Sequence, residues 1–240
     1  MRSLMEEYSN IIDRIDDMNL REAGLRQLID GADEESELVD YFQANKSLIP
    51  IGTEGTRFRF IVKSYLDSFD PEQYIAMAKR DRSHMFEGYT VRNETFRGRM
   101  PRKKLMDAIF SEEPLMRVKM CAFYVIDTRG SVDSRSGYTY PPECSDRIPN
   151  PHLQYHDCLG NHARFIMERL KDGDTIGAIE QCVSSSKSVN LGEGITVTKF
   201  LSDLFNSNAK VIELNDGTSV TPVEALRWLE KQEEEKAKEA

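Results

Sequence analysis

The sequence predicts an α+β fold, an antiparallel β-meander with packing helices and a helical N-terminal extension. Three patterns carry that expectation. Near the N-terminus, apolar residues recur at three- and four-residue spacing, the stripe of amphipathic helices. Residues 116–126, Met-Arg-Val-Lys-Met-Cys-Ala-Phe-Tyr-Val-Ile, read as a long strand that becomes wholly apolar toward its end. Further on, Asn215-Asp216-Gly217 stands between two short apolar runs, the chemistry of a hairpin turn.

Taken in order, Leu4, Tyr8, Ile11, Ile12, Ile15 and Met18 mark a helix over 3–18 that packs by one face. Helical patterns follow over 20–29 and 34–43, the second led by acidic residues that suit the positive end of the helix dipole. The run Thr-Arg-Phe-Arg-Phe-Ile-Val from Thr56 fits either a strand or the start of a buried helix. Asp70-Pro71 opens a helix to about Lys79, 89–96 reads as a strand, and 101–110 as a helix. Serine, glycine and charge make 130–137 a loop. Four prolines between Tyr138 and Pro151 preclude regular helix there. After Gly160 the pattern turns helical through Phe165, Ile166 and Leu170, breaks at Asp172-Gly173, and resumes over 176–183. A closing helix spans 222–232, with Trp228 a core residue, and frays into a solvated charged tail. The expected organisation is a helical region over 1–88, an α+β core over 89–223, and a C-terminal helix and tail over 224–240.

With 39% hydrophobic and 30% charged residues in 240, the composition is that of a globular protein able to bury a core without metal or disulfide. The N-terminus lacks the apolar run of a secretory signal, and no stretch approaches the roughly 18–20 apolar residues of a transmembrane helix. The expectation is a cytoplasmic or virion-internal protein with no membrane partner, in which Cys121, Cys144, Cys158 and Cys182 stay reduced. A formal charge of -9 opposes general affinity for nucleic acid. That charge is uneven, because 79–104 holds nine basic against three acidic residues. Arg97, Arg99, Arg102, Lys103 and Lys104 are therefore candidates to meet an acidic partner or RNA. The competing reading is a solvated surface whose arginines pair with the acidic N-terminal helices. No Gly-x-Gly-x-x-Gly, P-loop or His-Glu-x-x-His occurs, so no nucleotide cofactor is expected through those devices.

Chemistry concentrates between Tyr138 and His162. His152, His156 and His162 fall within eleven residues that also hold Asp157 and Cys158, with Cys144 upstream. A thiolate nucleophile needs a nearby base or cation to lower its pKa, and a histidine two residues away or across a turn supplies one. Alternatively, Cys144, His152, His156, Cys158 and His162 contain ligands enough for tetrahedral zinc, although no Cys-x-x-Cys knuckle is present. The third possibility is a small buried Cys158 among histidines that only satisfy loop carbonyls.

The order Tyr140-Pro141-Pro142-Glu143, then Pro149-Asn150-Pro151-His152, then Cys158-Leu159-Gly160, then a helix with Ala178-Ile179, resembles the core of ubiquitin-conjugating enzymes over about residues 115–194. It is closest in pattern to the divergent E2-like proteins of bacteria and their viruses. The resemblance implies an E2-like fold, with Cys158 in the place of the thioester-forming cysteine and Pro151 in that of the tripeptide proline. Asn150 and His152 flank that proline, so the tripeptide reads Asn-Pro-His rather than His-Pro-Asn. By the same resemblance the oxyanion-stabilising role would fall to Asn150 or His152; His156, two residues before the thiol, is the base that the spacing offers. Two functions follow as expectations. One is a non-catalytic E2-like binding or assembly module, of phage or other multiprotein-particle origin, whose partner is an assembly subunit. The other is a thiol-dependent carrier of a ubiquitin-like protein.

Overall fold

The computed structural model describes residues 37–66, 102–111, 113–134, 144–150, 159, 161–187 and 203–239. The fold is α+β, with antiparallel strands and packing helices. Its residues group into two compact units. One comprises the chain up to Ser64, Cys121–Ser145 and Leu153–Ser186; the other comprises Tyr65–Met120, Asp146–His152 and the chain from Lys187. The sequence helices expected over 3–18, 20–29 and from Asp70, and the strand over 89–96, lie outside the described residues.

In the first unit, helix α1 (Glu37–Ala44) leads into strands β1 (Leu48–Glu54) and β2 (Arg57–Tyr65). Residues 48–65, assigned from sequence to a helical N-terminal region, are therefore a β-hairpin. The alternation decides it: Phe58, Phe60 and Val62 enter one apolar cluster while Ile61 enters another. The turn is short, with Glu54 opposite Arg57 and Gly55 at φ +59°, a backbone setting glycine adopts without steric cost. The register shifts between Pro50 and Gly52, a bulge in the first strand.

Strand β3 (Met116–Asp127) is the long apolar strand foreseen in sequence; its residues from Cys121 belong to this unit. At Tyr124–Asp127 it pairs antiparallel with β4 (Ser131–Ser134). Four residues of the stretch read as a loop are thus a strand, because Gly130 at φ +103° turns the chain back onto β3. One sheet face carries Phe58, Phe60, Ala122, Tyr124 and Ile126, covered by α1 and by helices α3 (Asn161–Lys171) and α4 (Thr175–Ser186). Phe42 meets Phe58 edge-on at 5.0 Å, and Phe60 stacks on Tyr124 at 5.6 Å. The fully buried Tyr124 hydroxyl donates to the Cys182 carbonyl at 2.9 Å and lies 2.6 Å from the Ser185 hydroxyl. The break between α3 and α4 is Gly173 at φ +78°, after which Asp174 caps α4 by accepting from the Gly177 amide at 2.8 Å.

In the second unit, Met116, Arg117 and Val118 pair with β6 (Ile212–Leu214), which turns through Asn215-Asp216-Gly217 into β7 (Ser219–Val220). Gly217 has φ +82°, and the Asp216 carboxylate accepts from the Thr218 amide, as a turn of this chemistry requires. β5 (Ile148–Pro149) also pairs with β3. Helices α2 (Arg102–Phe110) and α5 (Pro222–Glu239) close a core of Leu105, Met106, Met116, Val118, Phe205 and Leu226. Trp228 packs against that core.

Helix α5 does not fray at residue 232; it continues to Glu239. Its start is a capping box, in which the Thr221 hydroxyl accepts from the Glu224 amide while the Glu224 carboxylate accepts from the Thr221 amide. Its far end is built of Glu, Lys and Ala, good helix formers, and is pinned by Lys104 to Glu233 at 2.7 Å and by Lys231 to Glu235 at 3.7 Å. Beneath β6 and β7 lies a buried cation. The Lys119 side chain is only 6% exposed, and its Nζ contacts Asp146 Oδ2 at 2.5 Å and donates to the Ser219 hydroxyl at 3.3 Å.

Candidate functional site

Of the residues singled out in sequence, Cys158, His152, His156, Arg97 and Arg99 lie outside the described residues, as do the side chains of Arg102 and Lys103. The flanks of the cysteine are described. Leu159 is buried among Phe42, Ile166 and Ile179, and its carbonyl accepts the His162 amide at 2.9 Å, so the chain is anchored directly after Cys158 as α3 begins. His162 Nδ1 is buried with no hydrogen-bond partner among the described residues.

Asn150 is fully buried, at 0% exposure, immediately after β5. An amide that stabilises an oxyanion must come within about 2.7–3.1 Å of the reacting oxygen. A side chain closed off from solvent meets that demand only if the surrounding chain opens.

Cys144 packs with Ile49, Ile61, Cys121 and Phe123. Leu159 and helix α3 pack on the residues that alternate with these, on the opposite face of the same strands. Cys144 and His162 are therefore not ligands of one zinc ion, whose bonds reach only about 2.0–2.3 Å. Among the described residues no group of three or more His, Cys, Asp or Glu is disposed to hold a metal, and no helix is long and apolar enough to cross a membrane. Cys121 and Cys182 are buried as well, and burial pushes the Cys182 thiol far above its ordinary pKa. Lys104, from the basic segment, is held by Glu233.

A cleft of about 300 Å³ that the sequence reading did not find lies in the first unit, where the two hairpins end. β2 supplies Arg57 and Arg59, β3 supplies Val125 and Asp127, and β4 supplies Ser131 and Asp133. These residues share the face that carries Ile61 and Phe123, away from the helices. Asp127 takes the Arg129 guanidinium in two bonds, Nε at 3.0 Å and Nη2 at 2.7 Å, and also the Arg129 amide at 3.0 Å. The Arg129 side chain and amide thereby hold the Asp127 carboxyl well below the usual carboxylate range. The available signal was the alternation of Arg57 and Arg59 with two phenylalanines, which places both cations on the face opposite an aromatic stripe once a strand is assigned. The run from Thr56 fits a strand and a buried helix start alike, so the sequence alone does not place them.

Comparison with known proteins returns no matching family model, no matching curated protein and no matching solved structure.

Proposed function

We propose that the chain is a non-catalytic E2-like module that binds or assembles with another protein, within a phage or other multiprotein particle. The observation that supports this reading is the complete burial of Asn150, beside the proline that takes the tripeptide position. A transferase that keeps its oxyanion donor sealed in the core lacks the preorganised electrostatics on which acyl transfer depends. The remaining basic residues, Arg97, Arg99, Arg102 and Lys103, are the candidate contacts to an acidic partner. The test is paired. Cys158→Ala should leave partner binding intact, and reversal of Arg97, Arg99 and Arg102 to glutamate should abolish it; binding unchanged by the reversal sinks the module.

A second reading is favoured by the thiol inventory. Cys121, Cys144 and Cys182 are all buried, which leaves Cys158 as the thiol for a carrier of a ubiquitin-like protein. On that reading Cys158→Ser traps an oxygen ester with the carried protein in the presence of its activating enzyme. A folded protein whose Cys158 resists every thiol probe rules it out.

A further inference from the structure

On the helix-covered face of the first unit, two buried polar atoms have no hydrogen-bond partner among the described residues. One is Nδ1 of His162, in the first turn of α3; the other is the hydroxyl of Ser134, a residue 2% exposed at the end of β4. Ser134 stands directly opposite Tyr124, so its side chain shares the sheet face that carries Tyr124, Leu159 and Ile166. Lys171, the last residue of α3, packs on Gly130, and β4 leads from there away from the last turn of that helix to Ser134. Buried polar atoms in folded proteins are nearly always bonded, so both atoms await a group that meets them. Cys158 lies outside the described residues, yet covalent geometry bounds its position. Consecutive Cα atoms are about 3.8 Å apart, and Leu159 is buried with its carbonyl accepting the His162 amide at 2.9 Å. Whatever path 151–157 takes, the chain cannot carry the Cys158 thiol far from the start of α3.

We infer that His162 is the proton acceptor of the Cys158 thiol, with the Ser134 hydroxyl as a second donor to the sulfur. The S–H bond breaks, the proton passes to Nδ1 of the imidazole, and the electron pair stays on sulfur as a thiolate. The thiolate then accepts from Nδ1–H and from the Ser134 O–H, so one sulfur satisfies both orphaned atoms. The positive end of the α3 dipole favours the same charge, and no acidic residue in the first turn of α3 competes for it. Few other charges intervene. On α3 itself Arg164 is paired with Glu168, and Arg169 with Asp174 at the far end. Asp133 of β4 lines the cleft on the opposite sheet face. Helix α4 brings only Glu180, which acts on Tyr41, and the buried Cys182 thiol. Asp157, next to Cys158 in the chain, is the like charge that opposes the thiolate. His156 is offered by spacing alone, whereas His162 is held beside Leu159 with a nitrogen to fill. The inference deepens the carrier reading, which needs an acidic thiol, but an acidic thiol does not require that a ubiquitin-like protein be carried.

The test is the rate of maleimide labelling of each cysteine in the full chain as a function of pH, read by peptide mass spectrometry. Wild-type Cys158 should titrate at least about one unit below the free thiol value of about 8.5. His162→Asn, which keeps a polar atom near the Nδ1 position without its basicity, should return Cys158 to the free value and slow its labelling at neutral pH several-fold. Ser134→Ala should give a smaller rise in the same direction, and His156→Gln should leave the profile where it was. Cys121, Cys144 and Cys182 report folding in the same samples, because all three must stay unlabelled in any variant that is compared. Should His162→Asn fail that check, the wild-type profile and Ser134→Ala decide. An ordinary or raised Cys158 pKa in the wild type, an inert Cys158, an unchanged low pKa in folded His162→Asn, or a shift on His156→Gln in its place overturns the assignment. A low pKa with no ester trapped on Cys158→Ser keeps the assignment and removes the carrier; a trapped ester with an ordinary pKa does the reverse.

Discussion

Removing the carboxylate of Asp146 should destabilise the second unit more than a surface ion pair would, and the size of the loss follows from the geometry. Lys119 is 4% exposed overall, its ammonium contacts Asp146 and Ser219 among the described residues, and its amide donates to the Val211 carbonyl at 2.8 Å, which holds the strand in place beneath it. Stranding a buried charge costs about 3–5 kcal/mol when nothing else solvates it. Two features reduce that here: Asp146 is 44% exposed, so water already screens the pair, and Ser219 still accepts one Nζ hydrogen bond. The expected loss in Asp146→Ala is therefore about 2–3 kcal/mol, against about 0–1 kcal/mol for an exposed pair. Part of it comes from Arg147, whose Nε lies 3.7 Å from Asp146 Oδ1.

The assay is equilibrium urea unfolding followed by the fluorescence of Trp228, the protein's single tryptophan, which packs against the core of the same unit. The companion variant Lys119→Met separates the two explanations for a loss. If the cost in Asp146→Ala is an uncompensated ammonium, replacing that ammonium with a thioether of similar length should be close to neutral, and Asp146→Ala added to Lys119→Met should cost little more. A midpoint shift in Asp146→Ala worth less than about 0.5 kcal/mol would refute the argument, because it would mean that water reaches Nζ.

Other outcomes follow from the same reasoning. In native protein at pH 8, maleimide should leave Cys121, Cys144 and Cys182 unmodified while peptide mass spectrometry reads Cys158 separately; labelling of Cys182 before unfolding contradicts its burial. Asp127, whose carboxyl Arg129 holds low, contributes stability that is present in full above the unfolded aspartate pKa of about 3.9 and lost as pH falls through the lower folded value. Thermal melts of the wild type should thus decline below about pH 4, and Asp127→Asn should remove that part of the acid dependence. Thr221→Ala should cost about 1 kcal/mol by deleting the hydroxyl that caps α5, measured by the same Trp228 unfolding curve; Thr221→Ser should restore it.

The elements legible in sequence were those whose pattern admits one reading. Met116–Asp127 alternates at its start and then runs apolar and aromatic from Met120 to Ile126, the pattern of a strand entering a core, and Asn215-Asp216-Gly217 carries its own turn chemistry. The hairpin over 48–65 was obscured because Pro50 and Gly52 interrupt the first strand. The bulge that accommodates them depends on pairing with Arg59 and Phe60, residues whose own assignment was open. Strand β4 escaped notice for a related reason: Ser131, Asp133 and Ser134 have little intrinsic strand preference, and only their pairing with the end of β3 makes them extended. The persistence of α5 beyond residue 232 had a local signal in Thr221-x-x-Glu224, but its far end also depends on Lys104, a contact between distant positions that no periodicity reports.

The site residues divide on the same principle. Asn150 stands out in the sequence only as the neighbour of Pro151 in the tripeptide that the resemblance implies, and sequence does not separate an amide aimed at substrate from one enclosed in the core. Burial is a property of the pairing around β5, not of the local sequence. Arg57 is the converse case, a residue read only as part of an ambiguous strand. Its surroundings come from pairing: Arg129, on another strand connection, takes the nearest carboxylate in two bonds, and Arg57 keeps only the longer ion pair with it. The two cations thus compete for Asp127. Arg129 wins because it follows Asp127 by two residues and offers its amide as well as both guanidinium edges, while Arg57 approaches from across the sheet with Nε alone.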